Sequence, residues 1–380
     1  MDLRVPTEVW TQIFLLACTD TGITGRSLSQ TNRYFNAASR HVKLRSVAIR
    51  GLVQAVGFVN MIEALPRKER VVENLYVSMY NTSDLSEERR SKLLDALERT
   101  SIDSIDTTVH QQYYDCFVNI PSSTSFLYAH LVLQKAMFED ISMEVDMHAL
   151  FRILIAVSPS VELLSINFGE GYRPSIFFPI YFPRLSELVL QGPYDPYDCP
   201  SPLNMLKSLR RLRLTHVYTS NNDPTLAAIA RAAPNLTHLR LDHSNPYSST
   251  VCSEFKKALQ RPYDGDDLHE SFPESRRLPV SLRRFLIHPG DPPPREMPGT
   301  SFQHRYPSIL ELRRFATREP RVCLFKEYSR ETAFTPFQHE ESFQEWCERM
   351  SGGLAYWNEV NEELPLTIAV YLSLMTNPPE

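Results

Sequence analysis

The apolar positions of the chain follow two periods, a helical one at the amino terminus and a strand-like one beyond it. Val9, Ile13, Leu16 and Ala17 recur at helical spacing, and Trp10 with Phe14 forms a second apolar stripe beside them. Thr7 stands where a capping hydroxyl is useful and Glu8 where the helix dipole favours a carboxylate, so a helix is predicted to start near residue 8. After a Gly-containing linker, Ser27 and Gln30 have capping-box spacing, and Leu28, Thr31, Phe35 and Ala38 line one face of a second helix. Helices apolar on two sides hold more apolar surface than a module of about 40 residues can bury, which predicts a partner.

From residue 44 the pattern becomes apolar-x-x-apolar-x-apolar. It occurs at Leu44/Val47/Ile49, Val72/Leu75/Val77, Ile102/Ile105, Tyr128/Leu131/Leu133, Val161/Leu164/Ile166, Leu185/Leu188/Leu190, Leu209/Leu212/Leu214, Leu236/Leu239/Leu241 and Leu282/Phe285/Ile287. First positions at 161, 185, 209 and 236 are separated by 24, 24 and 27 residues, inside the period of about 20 to 29 expected of leucine-rich repeats. Helical signals lie between the copies, over 86–99, 146–157, from Asp223-Pro224 past Ile229, and over 249–260. Pro159, Pro183, Pro234 and Pro279 stand just ahead of strand positions, where proline ends a helix and favours extended geometry. No such unit buries its own apolar face, so stacking is predicted to give one continuous core: a curved α/β array with parallel strands on the concave side and helices outside. The step from 236 to 282 is 46 residues and holds the polar stretch 261–277, read as an exposed insertion.

Composition narrows the function classes. Apolar residues make up 42% of 380 residues, enough for a sizeable core. A net charge of −5 argues against nucleic acid as the main partner. The six cysteines show no paired spacing and no apolar leader follows Met1-Asp2, so neither disulfides nor secretion is expected. The apolar run 364–375 contains Pro365 and falls short of the roughly 20 residues a spanning helix needs, so no membrane partner is expected. The implied compartment is the cytoplasm or nucleus. No nucleotide-binding, hydrolase or zinc signature is present, and His216 and His243, though equivalent in adjacent copies, lack neighbouring ligands. The expectation is no catalytic residue, no metal and no cofactor.

Val5-Pro6, Glu8, Ile13, Leu28 and the run from Ser29 to Phe35 resemble the F-box pattern over residues 3 to 40. The following array resembles the irregular leucine-rich repeats that often stand behind F-boxes. Its first F-box position is Val instead of Leu, and the Asn or Cys expected after each strand is replaced by Gly169, Pro193, Val217 and Ser244. The resemblance implies an F-box-like module over 1–43, a repeat solenoid over 44–330 and a capping helix and tail over 331–380. It implies a substrate receptor of an SCF-type ubiquitin ligase, touching a Skp-type adaptor, and through it a cullin, by Val5, Pro6, Ile13, Leu16 and Leu28. The alternative is a leucine-rich-repeat scaffold acting outside any ligase.

Alternation along the strands puts Arg211, Arg213, His238, Arg240 and Arg284 on the concave face, with Glu187 and Asp242 among them. Arg213 beside Arg240 is a like-charge neighbour pair. One expectation is that this basic row binds an acidic or phosphorylated segment of a target protein, because guanidinium forks suit carboxylate and phosphate. The other is that Glu187 and Asp242 relieve the repulsion and the row serves solubility. The carboxyl-terminal pattern Phe343, Trp346, Cys347 and Met350 predicts an aromatic-rich helix capping the last open repeat.

Overall fold

A computed structural model describes residues 5–79, 88, 91–93, 141–168, 180–192, 206–215, 225–244, 255, 258–259, 278–289, 311–325, 339–353 and 357. The amino-terminal module is three helices, α1 (Thr7–Ala17), α2 (Ile23–Thr31) and α3 (Arg33–Ser39). Thr7 is the first helical residue and does not cap; the Pro6 carbonyl accepts from the N–H groups of Val9 and Trp10 instead. Nor does Ser27 open the second helix. The Asp20 carboxylate accepts from the backbone of Gly22 and Thr24 and from the Thr24 hydroxyl, so α2 starts four residues earlier, at Ile23. The single helix expected through Phe35 breaks at Asn32, whose extended backbone and side-chain acceptor for the Phe35 N–H begin α3. Trp10, Phe14 and Phe35 still meet, with ring centroids 4.8 to 5.5 Å apart, over a small core of Phe14, Cys18, Ala38 and Val42.

Among the described residues beyond the module, one open α/β sheet carries eight parallel strands in chain order. They are β1 (Ser46–Arg50), β2 (Asn74–Ser78), β3 (Leu163–Asn167), β4 (Glu187–Gln191), β5 (Arg211–Thr215), β6 (His238–Ser244), β7 (Arg284–Pro289) and β8 (Val322–Leu324). The register aligns the repeated apolar positions: Leu164, Leu188, Leu212, Leu239 and Phe285 are successive partners, as are Ile166, Leu190, Leu214, Leu241 and Ile287. These rows, and the first positions Val161, Leu185, Leu209, Leu236 and Leu282, are buried in a single core.

Helices α4 (Leu52–Ala64), α5 (Ile141–Val157) and α6 (Thr225–Ala232) contribute to that core from one face, with Leu312 of the helical stretch 311–318. Helix α4 carries no turn signal beyond Gly51 at its start (φ +81°) and is absent from the expected element order. The expected copies at Ile102/Ile105 and Tyr128/Leu131/Leu133 lie outside the described residues. β2 pairs directly with β3, so no strand stands between them in the sheet. β6 likewise pairs directly with β7 across the 46-residue step. A buried ion pair of Arg152 with Glu63 ties α5 to α4.

Two glycines test this packing in opposite directions. A Cβ on Gly25 would stand 2.1 Å from the Lys43 carbonyl oxygen, whereas one on exposed Gly57, inside α4, meets nothing within 4 Å. Gly25→Ala is therefore expected to destabilise the protein by about 1–3 kcal/mol through forced backbone movement. Gly57→Ala is expected to stabilise it by up to about 1 kcal/mol through helix propensity. Urea denaturation followed by circular dichroism measures both, and shifts of the same sign would contradict the close approach of α2 to residue 43.

Candidate functional site

Two surfaces hold the residues that the sequence singles out. The first is the sheet face opposite the helices. The registered neighbours there are Glu187, Arg211, His238 and Arg284 in one row, and Val189, Arg213, Arg240 and Leu286 in the next. Like charges at strand spacing repel unless a counter-charge is shared. Asp242, one row further on, supplies it: one oxygen accepts from Arg213 Nε at 2.5 Å and the other from Arg240 Nε at 2.7 Å. Arg213 is 6% exposed and Asp242 1%. Burial alone would push the Asp242 carboxyl up, but Arg213 and then Arg240 outweigh it and hold the group well below the usual carboxylate range.

The chain itself covers this face. Helix α7 (His339–Met350) packs on β2 and β3, where Trp346 is fully buried beside Tyr76 and Leu163. Further along, Trp357 is buried against Val189 and Leu286. Charged groups match along the way: Glu340 meets Arg50 at 2.9 Å, Glu345 meets Arg213 at 2.7 Å, and Arg349 meets Glu187 at 3.0 Å. Glu187, 3% exposed, also accepts from the indole N–H of Trp357 at 2.9 Å. The helix expected as a cap at the end of the array thus lies across its face, near β2 and β3. Tyr76 and Leu163 give its aromatics an apolar platform there.

The five residues expected on the concave face therefore separate. Arg213 and Arg240 are internal and neutralised, and Arg240 also stacks over Phe325 at 5.0 Å. The expected binding row is in this respect a structural network, because Asp242 and Glu345 already fill the places an incoming anion would take. Arg211 stays one-third exposed, with a 3.4 Å contact to Glu187 and its guanidinium 5.9 Å from the Trp357 ring. His238 and Arg284 are half-buried, His238 beside the Thr237 hydroxyl and Arg284 donating to the Pro320 carbonyl. Arg210 and Arg283, which sequence reasoning passed over, lie beside Arg211 and His238 in a cavity of about 750 Å³. Their signal was their place, each one residue ahead of a row that was read.

The second surface is the outward stripe of α1. Val5, Val9, Ile13 and Leu16 are exposed, Leu16 at 78%, and Ile23 and Tyr34 extend the patch. Pro6 is exposed as well. Leu28 differs from its expected role: it is half-buried and packs in the module's own core beside Phe35.

Other chemistry is sparse. Burial pushes the Cys18 thiol up to about 11, away from nucleophilic use. Among the described residues no cluster of His, Cys, Asp or Glu is placed to hold a metal ion, and no helix is long and apolar enough to cross a membrane. His216 and the His243 side chain lie outside the described residues. Comparison with protein-family models, curated proteins and solved structures yields no match.

Asp242 carries a pH signature. Its folded carboxyl titrates below an unfolded value of about 3.9, so its contribution to stability is present above that value and is lost as pH falls through the folded one. Asp242→Asn is expected to cost about 3–5 kcal/mol at pH 7 by leaving Arg213 and Arg240 without their shared anion. It should also flatten the loss of stability that the parent shows below about pH 4. Denaturant titrations at pH 7, 5 and 3.5 measure both effects.

Proposed function

We propose that this protein is the substrate-recognition subunit of an SCF-type ubiquitin ligase. The amino-terminal helices dock on a Skp-type adaptor, the repeat array holds a target protein, and another component of the ligase transfers ubiquitin. The reading requires no cofactor and places the protein in the cytoplasm or nucleus. One observation carries it: α1 divides its apolar residues between two faces. Trp10 and Phe14 turn inward to Phe35, while Val5, Val9, Ile13 and Leu16 stay in solvent on a module already closed by its own small core. A contiguous apolar patch of that kind on a folded surface is an interaction site. Its residues include four of the five positions that the F-box resemblance assigns to the adaptor, Val5, Pro6, Ile13 and Leu16, with Leu28 supporting them from within.

The array fits the second half of the reading. It offers an extended registered surface. Its contribution to ubiquitin transfer is position.

Ile13→Asp combined with Leu16→Asp tests the docking surface, because both side chains are exposed and their loss leaves the internal core intact. Capture of a Skp-type adaptor by the full chain is expected to fall at least about 30-fold, the weight of an anchor of about 2 kcal/mol. The melting temperature should be unchanged. Val53→Asp, on the outer face of α4, serves as the charge control. Undiminished capture by the double variant defeats the assignment of the surface, and no capture by the parent chain leaves the scaffold alternative in its place.

A further inference from the structure

We infer that the cavity at the amino-terminal edge of β4 to β7 binds an acidic peptide segment, one whose carboxylates are spread along the chain. The inference rests on reading the array as the target-holding surface and names what that surface takes. The cavity, about 750 Å³, is lined by Arg210, Arg211, Arg283 and Arg349 against one carboxylate, Glu187. That carboxylate is already committed. Both its oxygens face Arg349 and one accepts from Trp357, leaving Arg211 a contact of 3.4 Å. Arg210 spends one donor on the Asn235 carbonyl, and the side chain of exposed Arg283 has no partner among the described residues. The positive charge that Asp242 and Glu345 remove from Arg213 and Arg240 is thus left in place here.

Geometry favours several separated carboxylates over one compact anion. Arg210 and Arg283 precede the registered residues Arg211 and Arg284, and β6 lies between their strands. At a strand spacing of about 4.8 Å their backbones stand roughly 10 Å apart. Acidic side chains two to four residues apart on an extended segment match that spacing, so each guanidinium can take its own carboxylate without converging on its neighbour's. The hydroxyls on the wall do not compete as donors, since Ser186, Thr237 and Ser281 each donate to a backbone carbonyl. Arg349 comes from α7, so the cavity is complete only with the carboxyl-terminal segment seated.

The test uses the full chain and a fluorescein-labelled heptapeptide with glutamate at every second position, read by fluorescence anisotropy at fixed ionic strength. Saturable binding is expected, weakened at least tenfold by Arg211→Ala with Arg283→Ala. It should be unchanged by Arg318→Ala, on the helical stretch that packs against the opposite side of the sheet. Equal binding of the glutamine analogue, or no effect of the double variant, overturns the inference. A peptide bearing one phosphoserine and no glutamate that binds more tightly overturns the separated-carboxylate assignment. Adaptor capture, measured on the same variants, is expected to be unaffected, so failure of the peptide site and failure of the ligase reading give different results.

Discussion

A parallel sheet has two faces to bury, and in this one, whose strands follow chain order, the described crossover helices contribute to the core of only one. That constraint organises this protein. On the helical side the answer is repetitive: leucine, isoleucine and valine at registered positions stack from Val47 on β1 to Val322 on β8 as one core. The other face has no such repetition, because Ser165, Val189, Arg213, Arg240 and Leu286 succeed one another in a single row. A segment covering a surface of that kind must match it residue by residue. Residues 339–353 and Trp357 do so, with aromatics over Tyr76, Leu163, Val189 and Leu286 and opposite charges over Arg50, Arg213 and Glu187. Burial of such pairs contributes little net stability, since desolvation offsets much of the Coulombic gain. What it provides is register, for a slide of one helical turn would take Glu345 from Arg213 and Arg349 from Glu187.

The amino-terminal module obeys the opposite rule. Its three helices close a core of four buried residues and leave the second stripe of α1 in water. Among the described residues, α7 packs on β2 and β3. One apolar surface is therefore covered from within, and the other is exposed among the described residues.

How much of this was legible depended on whether neighbours in sequence or neighbours in space decided the outcome. The positions of β1 to β7 were legible because one repeated unit sets a period of about 24 residues, and the predicted rows across β4 to β7 are those of the observed register, whereas β8 carries no copy of the pattern and was not predicted. The two apolar stripes of α1 were legible for the same local reason. The helix boundaries were not: Asp20, Ser27 and Asn32 can each accept from nearby backbone N–H groups, and no local pattern ranks them. Helix α4 was missed because its apolar residues run nearly all round it, blurring the helical period. The fate of Arg213 could be half read, since Asp242 is close in sequence, but Glu345 lies 132 residues away. No local pattern announces a pairing over that distance.

The connection between the two surfaces follows from the same sheet. The module is joined to its first strands by backbone and ionic contacts: Thr21 accepts from Ala48, Arg45 reaches Glu73 at 2.5 Å, and the Arg45 carbonyl accepts from both Glu73 and Asn74. From there to the arginine cavity the path is an unbroken parallel ladder, each strand bonded to the next, with one apolar core beneath it. Close-packed cores of this kind deform little. The separation between the exposed stripe of α1 and the cavity beside β5 is then set by counting strands, about 4.8 Å at each step. For the proposed role as a substrate receptor such a spacer matters, because flexibility between the proposed docking and target surfaces would dilute the local concentration that holding a target creates.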